Sequence, residues 1–357
     1  MRPTLCAAAV AVLALGALPQ AQRPAASFRL VVDAPRLAGS SLQRAARDGF
    51  TCAAVARPLP PLLPKNVTVL LTRPSEPAGP APVMQVVMAR AAGLDAFEEA
   101  LNKTAAAGFR LCGVTVTQPE YDRSNIATLV AVMSQVDGPS PRYDVLHTRL
   151  QPGEWEPLER SAAAGFLVAH VLPRPQAPGA GADEMLLVAE QTAVTPPAAY
   201  ALVFAETADA LRNALKGRAA GGYRIQALWP STSNGRINVL MAKPLAGAWP
   251  DAPDYRVDER EQLRLSGVDG ELGWLTRRKG GVVTIHDKAR RSESTITSGV
   301  ISDATQRPAF EPRIQVRFVE LLDSSGGRGY RPFEFTLRPG TGDELTADVV
   351  MLRPPAP

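Results

Sequence analysis

Residues that carry chemistry are scarce in this chain. It holds three cysteines and three histidines in 357 residues. There is no Cys-x-x-Cys and no Cys/His spacing of the kind that holds a metal. A Gly-x-Ser-x-Gly elbow is absent, and no cysteine stands in a sensible relation to a histidine for nucleophilic catalysis. The glycine-rich pieces Gly179-Ala180-Gly181 and Gly326-Gly327-Arg328-Gly329 lack a phosphate-loop lysine and a strand-to-helix setting, so they read as loops. Carboxylates such as Glu98-Glu99, Glu154-Glu156 and Asp343-Glu344 fall on expected helices or turns, where solvation accounts for them. These absences argue against an enzyme and predict no cofactor.

Charge imbalance and long apolar runs are lacking too. The formal net charge is only +4, too weak to imply nucleic acid without a localised patch. Two basic runs, Arg277-Arg278-Lys279 and Lys288, Arg290, Arg291, flank one expected strand whose ends lie roughly 20–25 Å apart. Asp287 and Glu293 dilute them, and they read as solvated loops. The triplets Asn66-Val67-Thr68 and Asn102-Lys103-Thr104 match the glycosylation pattern by accident, given a composition of bacterial type. No later segment approaches 18 apolar residues, so no transmembrane segment is expected.

The N-terminus departs from this pattern. Arg2 precedes the apolar run Cys6–Leu18, which is too short to span a bilayer and suits a signal-peptide core. Residues 1–21 are expected to be removed near Ala21, leaving a periplasmic or secreted protein. Cys6 stands at the start of the run instead of its end, which argues against a lipid anchor. Cys52 and Cys112 then remain, and in an oxidising compartment they form a possible disulfide. Simple alternation, however, turns them to different faces, and two buried small side chains are the commoner outcome.

What is present is a repeated phrase, Leu-x-x-x-Ala-x-x-Gly-aromatic. It reads Leu42-Ala46-Gly49-Phe50, Leu101-Ala105-Gly108-Phe109, Leu158-Ala162-Gly165-Phe166 and Leu215-Ala219-Gly222-Tyr223, with glycines 59, 57 and 57 residues apart. Such a period marks a repeat architecture. In the third copy Arg142–Thr148 alternates as a strand, and Trp155, Leu158 and Ala162 share one helical face. Gly165 ends the helix in a left-handed conformation, Phe166–Leu172 forms a second strand and Glu184–Glu190 a third. The unit is β-α-β-β. The fold expected is therefore α+β, in tandem copies with mostly antiparallel sheets covered by helices on one face.

The expected divisions are a signal peptide at 1–21, then copies at 22–75, 82–136, 141–193 and 198–245. A degenerate fifth copy is expected at 253–304, with Trp274 before Gly281 and with Val282–His286 and Ser294–Ile301 as its last two strands. The sixth, at 312–353, reads as eroded or as a β-rich cap. There Arg313–Val319 is taken as a strand, and the gap to Gly329-Tyr330 is too short for a helix. A separate β-rich C-terminal domain from about residue 253 is the rival reading.

The order strand, helix, Gly-aromatic, strand, strand resembles a small bacterial domain family of unknown function, whose usual phrase is Gly-Trp-Glu-Leu-Val after a Leu-rich helix. The corresponding residues are Gly49-Phe50-Thr51-Cys52, Gly108-Phe109-Arg110-Leu111, Gly165-Phe166-Leu167-Val168 and Gly222-Tyr223-Arg224-Ile225. The resemblance covers residues 27 to 243, implies a fold and brings no catalytic residues.

Among the histidines, His147 aligns with Val32, Met88 and Phe204 and ends a core-facing row. His170 and His286 each stand five residues after a glycine. A His147/His170 pair on two strands of one copy offers two metal or ligand contacts, though the blander reading is two hydrogen-bonded imidazoles. The leading expectation is an exported, non-enzymatic interaction or binding scaffold whose partner is an unknown protein or envelope component. Apolar residues on both strand faces also suggest self-association through the sheets. The alternative is a small-ligand or metal-binding protein using a groove near His147 and His170, and an envelope hydrolase stands third.

Overall fold

A computed structural model describes residues 26–59, 62–75, 82–118, 127–149, 155–173, 184–230, 236–249, 252–260, 274–278, 281–287, 293–302, 312–340 and 344–353. The N-terminal apolar run and its expected cleavage near Ala21 lie outside these residues. The described chain is mixed α+β, with six small, mostly antiparallel sheets and five helices.

The first unit is β1 (Ala26–Asp33), α1 (Pro35–Arg47), β2 (Thr51–Val55) and β4 (Val67–Pro74), with a two-residue strand β3 (Arg57–Pro58) after β2. The second is β5 (Met84–Arg90), α2 (Leu94–Ala106), β6 (Phe109–Thr117) and β7 (Thr128–Gln135). The third is β8 (Arg142–Arg149), α3 (Glu156–Ala163), β9 (Leu167–Pro173) and β10 (Glu184–Gln191), and the fourth β11 (Ala198–Ala205), α4 (Ala208–Ala220), β12 (Arg224–Pro230) and β13 (Ile237–Pro244). Three strands follow, β14 (Tyr255–Arg260), β15 (Trp274–Arg278) and β16 (Gly281–Asp287), and then β17 (Glu293–Ser302), α5 (Pro312–Gly327), β18 (Arg331–Pro339) and β19 (Glu344–Arg353). In every sheet the last strand of the unit lies between its first strand and its inner one, the one that follows the helix in the five units with a described helix.

The helix-ending phrase works as a cap. Gly49, Gly108, Gly165 and Gly222 all have φ between 82° and 88°, where a side chain is strained. The amides of Phe50, Phe166 and Tyr223 donate back to the carbonyls of Ala45, Ser161 and Arg218, as the six-residue C-cap requires. Leu42, Leu101, Leu158 and Leu215 are fully buried. Cations stack on the following aromatic, with Arg29 and Arg73 lying 4.4 and 4.8 Å from the Phe50 ring centre.

The units stack in order and the last returns to the first. Helices α1, α2, α3 and α4 pack on β5, β8, β11 and β14, the first strand of the next unit, and α5 packs on β1. Strands β2, β6, β9 and β12 follow one another on the inner side, with β15 beside β12 and β18 beside β2. Each hydrophobic cluster accordingly draws on two units: Leu42 with Met84 and Val132, for example, and Leu322 with Phe28 and Leu70. Closure also uses the backbone, because β3 adds to the sixth sheet in parallel with β18 and the Leu59 amide donates to the Leu337 carbonyl at 2.8 Å.

Helix side chains occupy the outer edge strands, which would otherwise offer open backbone groups. Asn102 of α2 bonds both the amide and the carbonyl of Tyr143, at 2.8 and 2.9 Å, and Glu98 accepts from the Val145 amide at 2.9 Å. Asp323 of α5, at the same place relative to its glycine, accepts from the Phe28 amide at 2.6 Å. Burial raises the pKa of its carboxyl, against the lowering effect of that hydrogen bond.

Four expectations need correction. Arg313–Val319 lies within helix α5, and Gly326-Gly327-Arg328-Gly329 closes that helix, with Gly329 at φ 85°. Ser294–Ile301 belongs to β17, which pairs with β19 and so to the sixth sheet. Val282–His286 lies in β16, the middle strand of the fifth sheet, so the boundary falls between Asp287 and Glu293 instead of at residue 304. The disulfide read as possible is formed, in place of two separate buried side chains: Cys52 and Cys112 are bonded across the first and second units, with Cα atoms 6.2 Å apart. Their opposite parity, which argued against pairing within one face, is what a bond between stacked sheets needs, since the front of one meets the back of the next.

Candidate functional site

Five of the inner strands carry a β-bulge at one place, while β15 pairs with β16 in unbroken register. Ala53, Cys112, Ala169, Gln226 and Phe333 drop out of the pairing registers of β2, β6, β9, β12 and β18. All five stand four residues after their helix-ending glycine. A bulge breaks the ladder locally and re-aims side chains. Here the five line one cavity of about 370 Å³ on the inner side of the ring. The next position along each strand adds Ala54, His170, Ala227 and Glu334 to the wall. In the second unit it is Gly113, where a Cβ would lie 2.8 Å from that of Val55, so the first unit's approach excludes a side chain.

The wall is mostly small and apolar, with a polar cluster set into it. Arg57 and Glu334 form an ion pair with side chains 16% and 15% exposed. The Arg57 Nη1 also donates to the Leu228 carbonyl at 3.0 Å. One guanidinium thus ties the first, fourth and sixth units. His170 lies deep in the molecule while facing the cavity. Its pKa is lowered to about 4, first by burial and then by the charge of Arg57. At neutral pH the ring is uncharged, with one donor and one acceptor nitrogen. Among the described residues no protein group hydrogen-bonds to it. Neutral imidazole, the Gln226 amide and a self-neutralised ion pair suit hydrogen-bond recognition better than proton transfer.

His147 and His170 do not converge. His147 in β8 sits opposite Leu186 and His170 in β9 opposite Val188, with β10 between them. Two strand spacings and two residues of rise separate their Cα atoms by roughly 12 Å. The His147 Nε2 instead meets Glu184 at 3.1 Å. Nor does His147 end a core-facing row, since Met88 and Phe204 at the matching position are 43% and 45% exposed. The helix covers only the beginning of each outer strand and leaves this position to solvent. Among the described residues no group of three potential metal ligands occurs.

Apolar sheet faces, read as a route to self-association, are consumed within the chain by the clusters that join neighbouring units. Arg277 and Arg278 end β15, while Lys279, Lys288, Arg290 and Arg291 lie outside the described residues. Asn66 is buried and Asn102 is engaged with Tyr143. Arg57, Gln226 and Glu334 escaped the sequence reading. Glu334 was recoverable, because it stands five residues after Gly329 as His170 does after Gly165.

Comparison with protein-family models, curated proteins and solved structures found no match, so the site is read from its own geometry.

Proposed function

We propose that this chain is an exported, non-enzymatic binding scaffold: six copies of one β-α-β-β unit, the fifth the most divergent, closed into a propeller-like ring. The observation that carries this reading is the return of the sixth unit onto the first through α5, β3 and β18. Such closure builds a rigid body with two faces and an axial cavity, the usual design of a platform. Export is supported by the apolar N-terminal run and by the Cys52–Cys112 bond, which suits an oxidising compartment. Kinship to the small bacterial domain family rests on the Gly-aromatic phrase alone.

A second reading is favoured by the cavity itself. A volume of about 370 Å³ fits a small molecule, and His170 with Gln226 would fix its polar groups. His147 takes no part in that site.

The test couples capture to turnover. Tagged chain is cross-linked in an envelope extract, and the same extract is followed for small-molecule products. The expected result is a partner recovered at constant stoichiometry with no product formed. Product formation that disappears in His170→Ala or Glu334→Gln would overturn the non-enzymatic reading.

A further inference from the structure

The ring has two ends, and among the described residues they differ in charge. At one end lie the helix-ending glycines, the starts of the outer and inner strands, the ends of the middle strands and the loops joining one unit to the next. Hydrogen bonds fix this placement: Val136 donates to Gly108 at 3.1 Å, Leu245 to Pro197 at 2.9 Å, and Gln135 to Val83 at 2.9 Å. At this end Arg73, Arg110, Arg142, Arg218, Lys243 and Arg331 are all exposed. Asp48, Asp137, Asp144 and Glu190 are interleaved, with Asp48 paired to Arg29 and Glu190 to Arg110. Among the described residues the opposite end carries the exposed carboxylates Asp95, Glu99, Glu156, Glu159, Glu206 and Asp209, where Arg160, Arg236 and Arg212 pair with Glu156, Glu206 and Asp209 and Arg36 and Arg90 lie nearby.

Helix dipoles explain part of this, since acids favour first turns and bases last turns. They do not reach Arg73, Arg142, Lys243 or Arg331, which sit on strands. Stacking on the post-glycine aromatics holds several of these cations in place, as Arg142 on Phe166 at 5.9 Å and Lys243 on Tyr223 at 5.8 Å.

The same end also projects apolar side chains, as the other does at Leu37, Met88 and Phe204. Val83, Val136, Val194 and Leu245 are 42%, 40%, 88% and 61% exposed, and all flank strands at the loops between units. A basic face with protruding aliphatic tips matches an anionic lipid surface, where headgroups take the cations and the acyl boundary takes the tips. A hydrated acidic glycan would use the cations and gain little from the tips. We propose that the glycine-bearing end of the ring docks peripherally on an anionic membrane.

The chain is purified after export and sedimented with vesicles of phosphatidylcholine alone or mixed in equal parts with phosphatidylglycerol. Binding is expected only to the anionic vesicles and falls as salt rises. Arg142→Glu with Lys243→Glu should weaken it at least ~tenfold, and Val194→Asp with Leu245→Asp comparably. Arg36→Glu with Arg90→Glu, the same change of net charge at the other end, should leave it unchanged. Circular dichroism confirms that each pair is folded, and the single variants replace any pair that is not. Binding to both vesicle types alike, none to either, or equal loss with the Arg36/Arg90 pair would sink the proposal. Full binding by the Val194/Leu245 pair, with displacement by a soluble polyuronate, would assign the face to an acidic glycan instead.

Discussion

The hydroxyl of Tyr143 accepts a hydrogen bond of 2.8 Å from the backbone amide of Leu111, across the junction of the second and third units. The bond recurs one unit on, where the Tyr200 hydroxyl takes the Val168 amide at 2.6 Å, and again where Tyr255 takes Ile225 at 2.8 Å. Each donor stands three residues after its glycine, beside the bulge that lines the cavity. At the closing junction the sequence changes on both sides together. Phe28 occupies the tyrosine's register position, and the residue three after Gly329 is Pro332, which has no amide to satisfy. Between the first and second units the position holds Met84, and the Cys52–Cys112 bond joins that junction.

Tyr200→Phe tests this latch. The substitution keeps the ring and its packing but leaves the Val168 amide buried without an acceptor. The expected loss is about 1–3 kcal/mol, read from urea denaturation. An unchanged midpoint would mean that the amide finds water or another acceptor. Phe28→Tyr, facing Pro332, should bring no gain.

The disulfide makes a separate prediction. It closes a span of 60 residues, and removing such a link from the unfolded state's constraints costs about 2–4 kcal/mol. Cys52→Ala with Cys112→Ala should lose that stability in urea while keeping its far-ultraviolet spectrum. Dithiothreitol should shift the wild-type midpoint and leave the double variant's midpoint in place.

Much of this architecture was legible because the phrase Leu-x-x-x-Ala-x-x-Gly-aromatic is imposed by local geometry. A helix face, a close approach and a left-handed cap each demand one residue type at one spacing. The tail was misread where the same demands took other residues. In the sixth unit Gly326 replaces the alanine, so Gly329-Tyr330 is legible without the Leu322-Gly326 half of its phrase, and part of helix α5 reads as a strand. The fifth unit's inner strand begins at Trp274, directly after Gly273, whereas Gly281 begins the middle strand. The candidate site was less legible still. Arg57 lies beyond the repeated phrase, and its partners Leu228 and Glu334 are joined to it only by closure of the ring.

His170 predicts a pH dependence with a defined sign. Its folded pKa of about 4 lies below the ordinary value of about 6.5, so between these values the unfolded chain binds more protons. Stability from this residue is therefore complete above about pH 6.5 and declines as pH falls toward 4. His170→Gln should flatten that part of the profile in urea titrations at pH 7 and pH 4.5. A variant that loses stability over this interval as steeply as the wild type would place the dependence on other groups.

The closing junction yields a prediction opposite to helix propensity. Alanine is the better helix former by about 1 kcal/mol, and Ala46, Ala105, Ala162 and Ala219 hold this position in the first four phrases. Gly326→Ala should nevertheless destabilise. A Cβ at Gly326 would stand 2.6 Å from Phe28 Cε2 and 2.9 Å from the Ala26 carbonyl oxygen. Phe28 is buried in the cluster that joins the first and last units, so the ring has little room to move. Relief requires α5 to retreat from β1, lengthening the Asp323–Phe28 bond and loosening closure. The expected loss is about 1–3 kcal/mol, together with faster amide exchange in β1 but not in β8. Should Gly326→Ala raise the midpoint, α5 approaches β1 less closely than these distances require, and the closing contact is softer than the junctions made by α1 to α4.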